Sequence, residues 1–157
     1  MRITAKVDYA VRAAIELARA YPTDDSRPVP LTRQAIAEAQ DIPSKFLEHI
    51  LADLKRSQIV GSVRGADGGY WLYRPPTEIT MADIIRAAEG PLADVRGERP
   101  DALDYPDDLA ALQRAWVAVR ANLRAVLEHV TLADLRDGQL IPAVDRLADP
   151  DDAWQLH

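Results

Sequence analysis

Ser62 to Pro76 reads SVRGADGGYWLYRPP. Three glycines fall within five positions, a β-branched run precedes them, and an aromatic run closed by two prolines follows. Glycine at that density means that the backbone turns tightly or comes close to something else. The flanking runs, QIVGSVR and GYWLYRP, have the β-branched and aromatic content of strands. GADGG between them reads as the turn of a hairpin. A phosphate-cradling loop is the competing reading, but it needs a helix N-terminus after the glycines, usually with Lys-Ser/Thr. Here a second strand follows and Pro75-Pro76 ends it.

Helices stand on both sides of this hairpin. Residues 5–20, AKVDYAVRAAIELARA, repeat Val7, Val11, Ala14, Ile15 and Ala18 at helical spacing. YPTDDSRPVP breaks that pattern with three prolines and reads as a loop. Thr32 then caps a short helix, TRQAIAEAQ, with Ala35, Ile36 and Ala39 on one face. After QDI, Pro43 suits the first turn of a third helix, with Asp41 or Ile42 near its cap. Phe46, Leu47, Ile50, Leu51 and Leu54 form its apolar stripe. Ser44, Lys45, Glu48, His49 and Lys55 occupy its polar faces.

Two helices three or four residues apart, the second with outward cations, have helix-turn-helix spacing. From this pattern alone, an ordinary pair of packed helices is the other reading. A β-hairpin directly after the pair points to a winged helix, with the glycine loop as wing tip and Arg64 at its base. The fold class expected is mainly α with a small β-hairpin: a winged helix-turn-helix plus a long C-terminal dimerisation helix.

Thr80 caps a further short helix, TEITMADIIRAAEGPL, which Gly90-Pro91 stops. ADVRGERPDALDYPDD is polar and acidic and reads as a flexible loop. In the run that follows, Leu109, Leu112, Trp116, Val119, Leu123, Val126 and Val130 are separated by 3, 4, 3, 4, 3 and 4 positions. That spacing is an a/d seam over three heptads, longer than the small preceding domain can cover. A second copy is therefore expected against it, and a core helix buried in its own monomer is the rival. TLADLRDGQL reads as a short closing helix and ADPDDAWQLH as a loose acidic tail. The division expected is 1–76 for the winged domain with its N-terminal helix, 77–138 for connecting helix, acidic loop and dimerisation helix, and 139–157 for the tail.

Composition narrows the chemistry. The chain has 157 residues, no cysteine and three histidines, His49, His129 and His157, far apart. Disulfides, thiolate metal sites and cysteine nucleophiles are excluded. The net charge of −6 is unevenly spread. Residues 1–75 carry 11 Lys and Arg against 9 Asp and Glu, and residues 76–157 carry 8 against 16. Nucleic-acid binding depends on where cations cluster, so the net charge does not exclude it. Asp101, Asp104, Asp107 and Asp108, like Asp149, Asp151 and Asp152, sit in proline-bearing loops without a framing His or Lys. They read as solvated loops rather than general acids and bases, and no enzyme activity is expected. Trp71, Tyr73, Tyr105 and Trp116 could line a small-molecule pocket, but core is the favoured reading. With no export signal and no apolar run near membrane-spanning length, a cytoplasmic location away from membranes is expected.

Five ordered blocks carry a resemblance: MRITAKVDYAV, IPSKFLEHIL, SVRGADGGYWL, ITMADIIRAAEGPL and VTLADL. Over about residues 1–138 the chain resembles the winged-helix regulator family that contains IscR, NsrR and CymR. The resemblance implies a homodimeric, sequence-specific transcription regulator of duplex DNA, a repressor by expectation. It implies that the third helix enters the major groove and that Arg64 reaches the minor groove. Ser44, Lys45 and His49 become candidates for base or phosphate contact, and Glu48 matches a family position that can accept from cytosine. Lys55, Arg33, Arg2, Thr4 and Lys6 are expected as phosphate clamps.

Many members hold an iron–sulfur cluster on three cysteines in the loop before the dimer helix. The corresponding loop here, PLADVRGERPDALDYPDDL, has none. Asp8 stands where some members place a further ligand, but one carboxylate cannot hold a cluster. The expectation is therefore no cluster and no other cofactor or metal, as in the family's cluster-free branch. A small-molecule effector or partner protein would then carry the signal. A protein-interaction module that regulates a metabolic enzyme or co-regulator, with DNA binding weakened, is the alternative function.

Overall fold

The computed structural model describes residues 3–24, 26–65 and 68–149. Helix α1 spans Ala5–Arg19 and begins where the Thr4 hydroxyl accepts from the Val7 amide. Val7, Ala10, Ala13, Ala14, Leu17 and Ala18 are buried along it. The alanines let other helices come close. Helix α2, Arg33–Gln40, is capped by Thr32 accepting from Ala35 N. It stops at Asp41, whose left-handed backbone (φ 49°) turns the chain toward α3, Ser44–Arg56. Leu47, Ile50, Leu51 and Leu54 of α3 are buried, and Ile36 of α2 joins them in the core.

Two details of α3 differ from the sequence expectation. Pro43 is the cap residue itself, with ψ 128°, and the helix starts at Ser44. Phe46 is 50% exposed. At about 100° per residue it falls at the edge of the buried arc, where it meets the Tyr9 ring edge-on at 5.9 Å.

Strands β1 (Val60–Val63) and β2 (Gly69–Leu72) pair antiparallel, with Val60 opposite Leu72 and Val63 opposite Gly69. Val60 and Leu72 enter the core. The wing has a third participant that the hairpin reading lacked. Leu31 exchanges two backbone hydrogen bonds with Tyr70, at 2.9 and 2.8 Å. Gly69 is required there, because a Cβ would lie 2.5 Å from the Leu31 carbonyl oxygen.

Helix α4, Met81–Glu89, and helix α6, Leu132–Asp137, share one device. Ile79-Thr80-Met81-Ala82-Asp83 and Val130-Thr131-Leu132-Ala133-Asp134 each place a Thr and an Asp in a reciprocal capping box. The two segments also pair: Met81 N donates to Val130 O (2.9 Å) and Leu132 N to Ile79 O (2.8 Å). Ile79, Val130 and Leu132 are buried beside this pairing. One hydrophobic cluster thus gathers residues from Ala10 through Leu132, on both sides of position 76.

Helix α5, Ala110–Leu127, lies between α4 and α6 in the chain and buries none of its residues. The segment before it is not a free loop. Pro100 and Leu103 are buried, and Gln113 of α5 donates to the carbonyls of both. Arg120 donates to the Ala93 carbonyl at 2.6 Å. Beyond α6, a short helix α7, Pro142–Leu147, buries Val144 within the span 139–157 assigned to the acidic tail, just before ADPDDAWQLH. Residues 150–157 of that tail lie outside the described residues. Among the described residues no helix is long and apolar enough to cross a membrane.

Candidate nucleic-acid interface

The start of α2, the outer face of α3 and the wing enclose an open groove of about 550 Å³. Arg33, Glu48, Lys55, Ser62 and Arg64 line it. Arg33 of α2 pairs with Glu48 of α3 at 2.9 Å. Lys55 Nζ donates to Ser62 Oγ at 2.7 Å, which ties the end of α3 to β1. Ser62 was not among the expected site residues. Its signal was its place two positions before Arg64, on the same side of an alternating strand.

Arg64 is exposed at the end of β1. Gly65 follows with φ +118°, a backbone that favours glycine. A Cβ on Gly68 would meet the Val63 carbonyl at 2.7 Å. The glycines therefore serve the turn, and β2 follows them directly. Ser44, Lys45 and His49 are exposed on α3 but do not line the groove. Arg33 and Glu48 engage each other and Lys55 engages Ser62, whereas Arg64, Lys45, Ser44 and His49 make no side-chain hydrogen bond or ion pair among the described residues. Three cations, Arg33, Lys55 and Arg64, and one carboxylate, Glu48, thus line the groove. That is a surface suited to a polyanion with bases to read.

Two expected clamps are committed elsewhere. Thr4 caps α1 and its hydroxyl donates to the Glu89 carboxylate of α4. Lys6 Nζ donates to the Ala88 carbonyl (2.5 Å) and pairs with Asp53 of α3 (2.8 Å). That hydrogen bond holds the Asp53 carboxyl below the usual carboxylate value, against the opposing effect of burial. Arg56, at 3.0 Å, adds to the lowering. Lys6 and Thr4 therefore form the joint among α1, α3 and α4. Arg2 lies outside the described residues.

A second surface lies on α5. Leu109, Leu112, Trp116 and Val119 are each about two-fifths exposed (41, 40, 39 and 39%), and Leu123 and Val126 are half-buried. Val130 departs from the expected seam. It follows the helix, is 2% exposed and belongs to the monomer's own core. The end of α5 is clamped: Glu128 accepts from Arg124 (3.0 Å) and from Arg86 of α4. The two guanidinium groups bring its carboxyl down to about 2. The four aromatic residues once considered together do not meet in one pocket. Trp71 and Tyr73 pair edge-on at 6.1 Å on the wing, Tyr105 lies under Arg96, and Trp116 is on α5.

A family model, Rrf2, described as iron-dependent transcriptional regulator, matches residues 3–138. The chain is 45% identical over 154 residues to Rv1287 of Mycobacterium tuberculosis, named as a candidate HTH-type transcriptional regulator, across 95% of this chain and 89% of the relative. It is 33% identical over 135 residues to the HTH-type transcriptional regulator CymR of Bacillus subtilis, across 86% and 89%. Among solved structures, B. subtilis CymR, the global cysteine regulator, aligns with a TM-score of 0.67 at 30% identity over 89% of this chain and 99% of that one. IscR of T. potens aligns with a TM-score of 0.66 at 30% identity over 100% and 93%.

The iron that the family description implies does not fit the residues present. The segment 91–100 faces α5 with Pro91, Leu92, Val95 and Pro100, and of its two carboxylates, Asp94 and Glu98, only Asp94 lines that side. Thiolates are lacking throughout the chain. His49 is on α3, and His129 is turned to the Ala125 carbonyl. Asp8 lies beside Arg12 at 3.4 Å. An iron–sulfur cluster needs thiolates, with histidine as a partial substitute, and no such donor set is assembled among the described residues.

Proposed function

We propose that this chain, which belongs to the Rrf2 family of transcriptional regulators, works as a homodimer that reads duplex DNA and does so without an iron–sulfur cluster. Its relatives are regulators rather than enzymes. The observation that carries the reading is the groove of α2, α3 and wing, which Arg33, Lys55, Arg64 and Glu48 line together. With α3 in the major groove, Ser44, Lys45, Glu48 and His49 are the side chains on its solvent side. Arg64 at the wing then reaches the minor groove, whose negative potential favours arginine. The DNA-reading part is residues 1–76, supported from below by Ile79, Ile84, Ala88 and Leu132.

A second copy supplies what α5 lacks. An 18-residue helix with no fully buried residue in its own chain gains most of its stability from packing an apolar face. Leu109, Leu112, Trp116, Val119, Leu123 and Val126 are that face, and residues 77–138 serve the pairing. Two copies joined along it present two winged helices to half-sites roughly 34–36 Å apart on one face of the duplex. Regulation by such a dimer is repression where its site overlaps a promoter, and residues 139–157 take no part in the DNA contact.

The test is a pull-down of genomic fragments by the purified protein, read by sequencing, with Arg64→Ala in parallel. A shared site of approximate two-fold symmetry, lost with the variant, is the expected result. Equal recovery by both proteins, or no enrichment with either, would count against the reading.

A further inference from the structure

A carboxylate in a groove suited to a polyanion needs a reason to be there. Glu48 is the one acid that lines the groove of α2, α3 and wing among the described residues. Left alone it would repel the phosphates that the groove's cations attract. It is not alone. Its Oε2 accepts from Arg33 Nη1 at 2.9 Å, from one helix to the other. Stability does not account for this pair, because side chains that are 44% and 66% exposed gain little from ion pairing.

The backbone beneath each partner is fixed. Arg33 opens α2 directly after Thr32, whose hydroxyl accepts from Ala35 N at 3.1 Å. Two residues earlier, Leu31 is paired with Tyr70 of the wing. On α3, Glu48 stands between Leu47 and Leu51, both buried in the core. A side chain held this way by a neighbour on a rigid element is oriented before a ligand arrives. The second oxygen of Glu48, Oε1, takes part in no hydrogen bond among the described residues. One oxygen is thus spent on Arg33, and the other is left for a donor from outside the chain. A carboxylate accepts and does not donate, so its complement on a base edge is an exocyclic amino group. We infer that Arg33 is a positioning residue, which holds Glu48 toward a base and offsets its charge, rather than a clamp on a phosphate. The inference rests on the DNA reading above.

The test is fluorescence anisotropy of the full chain with an enriched duplex and with versions of it changed one base pair at a time. Wild type, Arg33→Met, Glu48→Met and the double variant are compared at several salt concentrations. Both positions are exposed and methionine suits a helix, so the variants should fold. Glu48→Met should lower discrimination at one base pair about tenfold. Arg33→Met should lower it at the same base pair by a similar factor, and the double variant should lower it no further. The double variant removes one charge of each sign and, on this reading, no phosphate contact, so its salt slope should equal that of the wild type. Discrimination kept by Arg33→Met at every position, or a double variant whose slope is lower by about 1, would overturn the inference in favour of a phosphate clamp. Unchanged discrimination by Glu48→Met would overturn it as well. Failure of the DNA reading itself looks different: the wild type then prefers no duplex over another, and the inference falls with it.

Discussion

Replacing Lys6 by Met separates the role that the sequence suggests from the role that the structure gives it. Lys6 sits near the N-terminus of a chain whose first half is cationic, and reads as a phosphate clamp. In the folded chain its ammonium lies 2.8 Å from Asp53 and 2.5 Å from the Ala88 carbonyl. Methionine keeps most of the stem's volume and removes both contacts. A hydrogen bond to a charged group contributes about 1.5–3 kcal/mol, and solvent reaches this one in part. The Lys6 side chain is 34% exposed and that of Asp53 16%, so the discounted loss is about 1–2 kcal/mol. For a domain of this size that lowers Tm by roughly 2–8 °C. The loss is pH-dependent with a definite sign. The Asp53 carboxyl is held below its ordinary value of 3.8, first by the hydrogen bond from Lys6. A depressed carboxyl contributes stability above its unfolded value and loses it as pH falls through the folded value. The Asp53 share of the cost of Lys6→Met is therefore full at neutral pH and fades in acid, as pH falls through the lowered folded value, while the share from the Ala88 carbonyl remains. Urea titrations of both proteins at one fixed concentration across pH measure it. The salt dependence of DNA affinity is the control. A lost phosphate contact lowers that slope by about 1, and the structure predicts no change. Unchanged stability together with a slope lowered by about 1 would refute the internal role.

Three further outcomes follow from particular contacts. Gly69→Ala places a Cβ 2.5 Å from the Leu31 carbonyl oxygen, a backbone atom that cannot swing away, and should cost about 1–3 kcal/mol in a urea titration. Thr131→Ala removes one half of the α6 capping box and should cost about 1 kcal/mol, with the helix otherwise retained by circular dichroism. Trp116→Asp puts a charge in the middle of the exposed face of α5, and sedimentation should find the monomer at concentrations where the wild type is a dimer.

Much of this architecture is legible without coordinates because it rests on local chemistry. Thr32 and Thr80 cap the helices that their neighbours' pattern begins. The glycines after Arg64 lie at a reversal between strands, and the heptad spacing from Leu109 to Val126 marks an unburied apolar face. What stayed hidden depends on partners distant in the chain. Lys6 and Thr4 meet Ala88 and Glu89, 82 and 85 positions away. Leu31 looks like the end of a proline loop until Tyr70 pairs with it. Spacing alone also cannot say where a helix stops: Val130 continues the 3, 4 rhythm, but α5 has ended and the chain has turned into the core. The acidic segment before α5 misleads by composition. Its charges are solvated, yet Pro100 and Leu103 are buried and Gln113 and Arg120 hold its carbonyls.

The central claim is that the groove between α3 and the wing is the DNA-reading surface. Fluorescence anisotropy with one enriched duplex, at a single stated salt concentration, tests it by comparing wild type with Arg64→Ala. Arg64 is exposed and makes no side-chain hydrogen bond or ion pair among the described residues, so the variant should fold as the wild type does. Its affinity for the site should fall by about 1–3 kcal/mol, while its weak affinity for unrelated duplex changes far less. Equal affinity of the two proteins for the site would contradict the claim.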